Sequence, residues 1–224
     1  MKIATWIATW NIERLKHKKQ INTIISECES LGADILILTE TDTSVKPDFK
    51  YFFQTELLQG ITEPVIYNDT ESRVSIFTNY EIIKKYPTFD PHTSICIEVK
   101  TEKGNLVVYG TIIGVLGNRR SSYLNDLHKQ LDDINNLLMS GKNVCIAGDF
   151  NCSFSDNYYF TNASRKILLD FFESSDISIL TVDCSECIDH IAISKSFVGD
   201  SRFNIYEWNV KKELSDHKGI MACT

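Results

Sequence analysis

Apolar and polar positions follow two different periods along the chain, and these separate strands from helices. Residues Lys2 to Asn11 are rich in β-branched and aromatic types and close on a polar Asn, which predicts a strand with a polar tip. Ile21, Ile24, Ile25, Cys28 and Leu31 then recur at helical spacing, with Gly32 where a helix C-terminus favours glycine. This predicts a helix from His17 to Leu31. Ile35, Leu36, Ile37 and Leu38 form an unbroken apolar run ending in Thr39 and Glu40, as expected of a strand buried on both faces. Further strands are predicted over Arg73 to Thr78, Ser94 to Lys100, Leu106 to Ile113, Asn143 to Phe150, Cys187 to Ser194, Arg202 to Val210 and Lys218 to Cys223. Leu124, Leu127, Leu131, Ile134 and Leu138 place a second helix between Ser121 and Gly141, and a shorter one is predicted over Ala163 to Glu173. Many strands with few helices imply two packed sheets with helices outside them, around one core.

Isolated acids, amides and one imidazole stand at the ends of these runs. The segments read Thr9-Trp10-Asn11, Leu38-Thr39-Glu40, Gly148-Asp149-Phe150-Asn151, Ile188-Asp189-His190-Ile191 and Ser215-Asp216-His217. Taken singly, Glu40 or Asn11 is a solvated strand end, Asp149 to Asn151 a turn, and Asp216-His217 a cap. Together they offer the oxygens that a hard cation such as Mg²⁺ prefers, and a cation so held polarises a phosphoryl oxygen. A histidine oriented by a carboxylate supplies a base near neutral pH.

In order and spacing these five segments resemble the endonuclease/exonuclease/phosphatase superfamily, which includes abasic-site endonucleases, DNase I-like nucleases, sphingomyelinases and inositol polyphosphate 5-phosphatases. The resemblance runs from Asn11 to His217. It implies a four-layer α/β sandwich, two packed β-sheets flanked by helices, with the active site at one end of the sheets. It also implies roles: Glu40 as principal metal ligand for Mg²⁺ or Mn²⁺, assisted by Asn11 and Asp216. His217 would activate water or stabilise the attacked phosphate, with Asp189 orienting its ring. Asp149 would position the nucleophile, protonate the leaving group or hold a second metal, and Asn151 would donate to phosphoryl oxygens. One departure is visible: the family's Thr-His-Leu-like histidine, or the nearby tyrosine of abasic endonucleases, is replaced by Gly110-Thr111-Ile112-Ile113-Gly114. Tyr109 on an alternating strand points to the other face. Phosphate contact is therefore expected from Asn118, Arg119 and Arg120 in the following loop.

Composition sharpens the substrate question. The chain has 224 residues without a linker-like stretch, so residues 1–224 are read as one domain. Lys and Arg number 23 against 30 Asp and Glu, a net charge of −7, whereas a general nucleic-acid binder is usually basic. A cluster of metal-binding carboxylates accounts for part of the excess. No apolar run reaches the roughly 20 residues of a membrane span, and no leader pattern opens the chain, so a cytoplasmic location is expected. Seven cysteines do not form the framework of a secreted disulfide scaffold. Cys184 and Cys187 lack a second pair for zinc, and Cys152 lacks an activating base. His190, adjoining Asp189 on a strand, should face away from the site as a structural histidine.

The resulting expectation is a Mg²⁺-dependent phosphodiesterase cleaving nucleic acid, without an obligate protein partner. Hydrolysis of a small-molecule or lipid-headgroup phosphate is the alternative that the acidic charge favours. A catalytically silent binding module is a third reading, opposed by the intact acid, amide and imidazole set.

Overall fold

The computed structural model describes residues 4–61, 65–199 and 203–224. Twelve strands form two six-stranded sheets among these residues. The first sheet contains β1 (Trp6–Asn11), β2 (Ile35–Asp42), β3 (Tyr51–Gln54), β4 (Glu71–Thr78), β11 (Asn204–Trp208) and β12 (Gly219–Cys223), in the order β11-β12-β1-β2-β4-β3. The second contains β5 (Glu81–Tyr86), β6 (Ser94–Thr101), β7 (Gly104–Ile112), β8 (Val144–Asp149), β9 (Ile177–Ile179) and β10 (Asp189–Ser194), in the order β5-β6-β7-β8-β10-β9. Helices α1 (Ile21–Ser30), α2 (Ser122–Met139) and α3 (Asn162–Ser174) and the short α4 (Lys195–Val198) complete the described elements, with 3₁₀ turns at Glu13–Leu15 and Lys18–Gln20.

The two sheets share one plan that the sequence does not display. Each is built around a central parallel pair joined by a crossover helix: β1 and β2 through α1, β7 and β8 through α2. On one side of each pair lie two antiparallel strands, and on the other side the same again. Parallel strands need such crossovers, whereas the flanking strands connect antiparallel to their neighbours. Val74, Ile76, Ile97, Val108, Ala147 and Ile191 pack between the sheets, all buried. The outer face of the first sheet packs on Ile24 and Cys28 of α1, and that of the second on Leu127, Ile134 and Leu168 of α2 and α3. Each helix thus buries one apolar stripe, and the result is the DNase I-like α/β sandwich in four layers.

Where the elements depart from the sequence pattern, the physical cause is local. The predicted His17 to Leu31 helix is shorter, with regular α-structure only from Ile21, because Lys16 to Gln20 bring no apolar side chain to bury against the sheet. Strands β3, β5 and β9 escaped the pattern because edge strands can leave one face wet; Glu81–Tyr86 has no fully buried residue. Tyr51–Gln54 and Ile177–Ile179 are too short to show a period. The predicted strand Arg202 to Val210 appears as Asn204–Trp208, and Arg202 itself, like Lys2, lies outside the described residues.

Gly148 links fold and site. Its φ of +139° and its pairing with Thr111 leave no room for a side chain, since a Cβ there would lie 1.9 Å from the Thr111 carbonyl oxygen. Gly148→Ala should cost about 3 kcal/mol or more through combined strain and overlap. Gly141→Ala, at positive φ but in open space, should cost only about 1 kcal/mol. Thermal melts of the two variants against wild type check this, and comparable losses would contradict it.

Candidate active site

The ends of the two central pairs deliver the site. β1 ends on Asn11, β2 carries Glu40 near its end, β8 ends on Asp149, and β10 begins on Asp189. The loop between β11 and β12 brings Asp216 and His217. All seven sequence-predicted acids, amides and imidazole of this group therefore approach one end of the sandwich.

Hydrogen bonds tie them together. The Asn11 amide donates to Asp149 Oδ2 at 3.1 Å, and its carbonyl accepts the Glu13 N–H at 2.8 Å. Asp149 Oδ1 accepts the Asn151 N–H at 2.8 Å, and the Asn151 amide donates to the Ile113 carbonyl at 3.0 Å. His217 Nδ1 pairs with Asp189 Oδ2 at 2.6 Å, which fixes the ring and directs Nε2 outward. Asp216 is exposed, with Oδ1 3.6 Å from that Nε2. Glu40 and Asn151 hold positive φ angles of 48° and 49°. Asparagine tolerates this conformation, but for glutamate it costs about 1 kcal/mol or more, a strain that the surrounding packing sustains.

A second group of residues, to which the sequence assigned no role, holds the His217 loop. Ser215 Oγ donates to the Asn11 carbonyl at 2.6 Å and accepts the His217 N–H at 3.1 Å. Asn209 donates to the carbonyls of Ser215 and His217 at 2.8 and 2.7 Å, and Trp10 Nε1 donates to the His217 carbonyl at 3.1 Å. Glu13 accepts the Asp216 N–H at 3.1 Å. The contacts to Asn11, Trp10 and Glu13 span some two hundred positions of sequence, so no local motif announces them.

Negative charge is in excess here. Burial raises the Glu40 carboxyl above its usual range, against the opposing pull of His217. Burial also pushes Asp149 up to about 7, with the Asp189 charge adding to it and His217 opposing. Burial alone would lower the His217 imidazole, but Asp189 overrides it and holds the ring at about 10. Three largely buried carboxylates thus share one imidazolium, and a cation would relieve the remainder. Asp189 Oδ1 adds a buried oxygen without a hydrogen-bond partner among the described residues. The donor set, carboxylate and amide oxygens with one imidazole, fits a hard divalent ion. Among the described residues, Asp149, Asp189 and His217 form a group that could hold a metal ion, their ligand atoms lying within 4.8 Å of one another. It differs from the set Glu40, Asn11 and Asp216 expected from sequence.

The remaining candidates separate by burial. Asn118 is 4% exposed and spends its amide on the Asn151 carbonyl at 2.7 Å, so it supports Asn151. Arg119 and Arg120 are exposed; the Arg119 guanidinium lies 5.9 Å from the Tyr159 ring centre. Tyr159, Tyr158, Ile188 and Lys218 line a cleft of about 350 Å³ that opens onto Asn151, Asp189 and His217. Tyr109 points away from the site and bonds Ser94 and Asp133, each at 3.1 Å. Ile112 is buried at the end of β7. All seven cysteines are free thiols; burial raises those of Cys184, to about 11, and Cys187.

Strand ends that gather acids, amides and an Asp-paired histidine at one end of a four-layer sandwich define a metal-dependent phosphoesterase. The sequence profile of the Endonuclease/Exonuclease/phosphatase family matches residues 8–217, and the chain belongs to that family. No curated protein sequence matches it. Among solved structures, an AP endonuclease from Archaeoglobus fulgidus superposes with a TM-score of 0.70 at 13% identity, over 97% of this chain and 98% of that one. A humanized D. rerio TDP2 with 14 mutations gives 0.68 at 13% identity, over 98% of each chain. The endonuclease domain of TRAS1, a telomere-specific non-LTR retrotransposon, gives 0.66 at 14% identity, over 98% and 97%. At these identities the likeness speaks for the fold alone. Among the described residues, no helix is long and apolar enough to cross a membrane.

His190 faces the opposite side of its strand from Asp189. It is fully buried, with Nδ1 2.9 Å from Thr181 Oγ1 and Nε2 3.0 Å from the Cys152 carbonyl, and burial lowers its pKa to about 4. The folded protein keeps it neutral while the unfolded chain protonates it below about 6.5, so this contribution is present above 6.5 and is lost as pH falls toward 4. The lost stability approaches about 3 kcal/mol. Asp149, raised by burial, has the opposite slope over much of that window. The readout is therefore the difference between wild type and His190→Gln in melts from pH 7 to 4 with chelator present. Parallel curves for the two proteins would contradict it.

Proposed function

We propose that this chain is a Mg²⁺-dependent phosphodiesterase that cleaves nucleic acid, with Mn²⁺ as an accepted substitute. The observation that carries the reading is the 2.6 Å Asp189–His217 pair set against the buried Asp149. A cation within Asp149, Asp189 and His217 would compete with that pair. Glu40, assisted by Asn11 and Asp216, is the better holder. The ion would supply Lewis-acid polarisation of the phosphoryl oxygen and stabilise the departing oxyanion.

The chain's own residues do the rest. His217, held near 10 by Asp189, is cationic at neutral pH and presents Nε2–H to the oxygens on which charge develops. This favours the charge-stabilising role over the water-activating one. Asp149, held at about 7, changes protonation near neutral pH and takes the proton from the attacking water or returns it to the leaving oxygen. Asn151 spends on the Ile113 carbonyl the side-chain amide expected to donate to the phosphoryl oxygens, while Asn118 locks its backbone, so Asn151 serves by holding the strand end in place.

Nucleic acid is favoured by Tyr158 and Tyr159 lining the cleft and by Arg119 over Tyr159, whereas Lys218, also in the lining, is already paired with Glu207 at 2.7 Å. A small phosphate ester is the second reading, supported by the net charge of −7 and by a cleft of only about 350 Å³.

Purified protein with Mg²⁺ should cleave at least one of single-stranded, duplex or abasic DNA or RNA, and EDTA should abolish the cleavage. Release of inorganic phosphate from soluble monoesters, with no cleavage of any polymer, would select the second reading. His217→Ala and Asp149→Asn should each lower kcat by roughly 10²- to 10⁴-fold with little change in KM. If both left every measurable activity unchanged, the binding-module reading would replace this one.

A further inference from the structure

A second pocket, of about 180 Å³, lies on the flank of Glu40 away from the His217 cleft and is lined in part by Arg14, Glu40, Tyr67, Arg73, Ile112 and Val115. We propose that it is an anion subsite, with Arg73 as principal donor and Arg14 as second, that receives a phosphate adjacent to the one being cleaved. This rests on the phosphodiesterase reading above and adds the requirement for a second anionic group in the substrate.

Arg73 carries the inference. It is only 9% exposed, and its Nε is buried with no hydrogen-bond partner among the described residues. Its guanidinium makes one long contact, Nη2 to the Tyr67 hydroxyl at 3.4 Å, and pairs with no carboxylate among the described residues. The nearest negative charges, Asp126 and the Glu40 and Glu71 carboxylates that share its surroundings, stay beyond ion-pair distance, so the buried Nε is left for a closer anion. Arg14 differs in that Nη2 already reaches both Glu71 oxygens, at 3.1 and 2.8 Å, yet its Nε is likewise buried and unpartnered among the described residues. Both guanidiniums lie over the Tyr67 ring, their central carbons 4.6 and 5.5 Å from its centre, which draws them to one place.

Position relative to the reacting group follows from strand register. Thr39 pairs with Val74 and Thr41 with Ser72, which sets Glu40 opposite Arg73 across the β2–β4 ladder. Ile112 and Val115 make the wall between the sheets apolar, where a charge-assisted contact is stronger than in open water. The positive charge on this flank therefore comes from Arg73 and Arg14, with exposed Lys16 beside them and Glu71 answering Arg14, and Arg73 lies across the β2–β4 ladder from the proposed metal ligand. A free phosphate monoester has nothing to place there, whereas a nucleic-acid strand or another polyphosphorylated ester does.

Binding and turnover test this separately. Wild-type protein in EDTA, titrated with inorganic phosphate by calorimetry, should bind it; Arg73→Gln should weaken binding about tenfold or more, and Arg73→Lys by less, since an ammonium keeps the charge but not the planar fork. In turnover, Arg73→Gln should raise KM about tenfold for a dinucleotide carrying an additional terminal phosphate, with kcat unchanged. Its kinetics on bis(p-nitrophenyl) phosphate, which has one phosphate, should match wild type. Absence of phosphate binding by wild type, or equal binding by both variants, overturns the subsite. So does an equal KM change on both substrates. Should Arg73→Gln melt before assay, the Arg73→Lys comparison decides alone, with wild-type-like phosphate binding and KM counting against the proposal. Retained EDTA-sensitive hydrolysis of bis(p-nitrophenyl) phosphate in any of these cases leaves the functional reading standing. Phosphate binding with no turnover of any ester would overturn that reading and leave the anion site.

Discussion

Everything at the working end of this molecule depends on crowding carboxylates into a space that water barely reaches. Asp149 and Asp189 are almost fully buried, Glu40 is held close by, and a single imidazole answers them. Such a concentration of like charge opposes folding unless it is partnered. The Asp189–His217 bond supplies one partner, the Asn11 amide another, and the donor set leaves a place for a divalent cation. The same crowding that makes the ionised site unfavourable by itself would be relieved by a divalent cation.

Holding that arrangement requires rigidity from several directions. The two central parallel pairs bring their carboxyl ends together because both sheets follow the same plan, each turning through one crossover helix. Gly148 allows β7 and β8 to approach closely just before Asp149. Ser215, Asn209 and Trp10 anchor the loop that carries His217, although none of them reaches the cleft chemistry. Positive φ angles at Glu40 and Asn151 show where the backbone is bent away from its easiest path to serve the site.

The site is asymmetric between its two flanks. On one side His217 and Lys218 border a cleft with two tyrosines; on the other, Ile112 is apolar and the positive charge comes from arginines stacked about Tyr67. Arg73 approaches the Ile112 flank from a strand of the other sheet.

Sequence by itself determined the fold class and picked out the candidate site residues that the fold brings to one end. Periodicity exposed the long buried strands and α2, and five short motifs at strand ends marked Asn11, Glu40, Asp149, Asn151, Asp189, Asp216 and His217, because polar residues beside unbroken apolar runs are locally conspicuous. Edge strands such as Glu81–Tyr86 stayed hidden because a wet face erases the period, and the like plan of the two sheets because it lives in strand pairing. Tertiary structure alone decided what Asn118 and Arg73 do. One turns inward to hold Asn151, and the other, an ordinary strand arginine by pattern, lies buried and unpaired among the described residues opposite Glu40. Charge balance in a buried pocket is a sum over segments distant in sequence, and no local pattern records it.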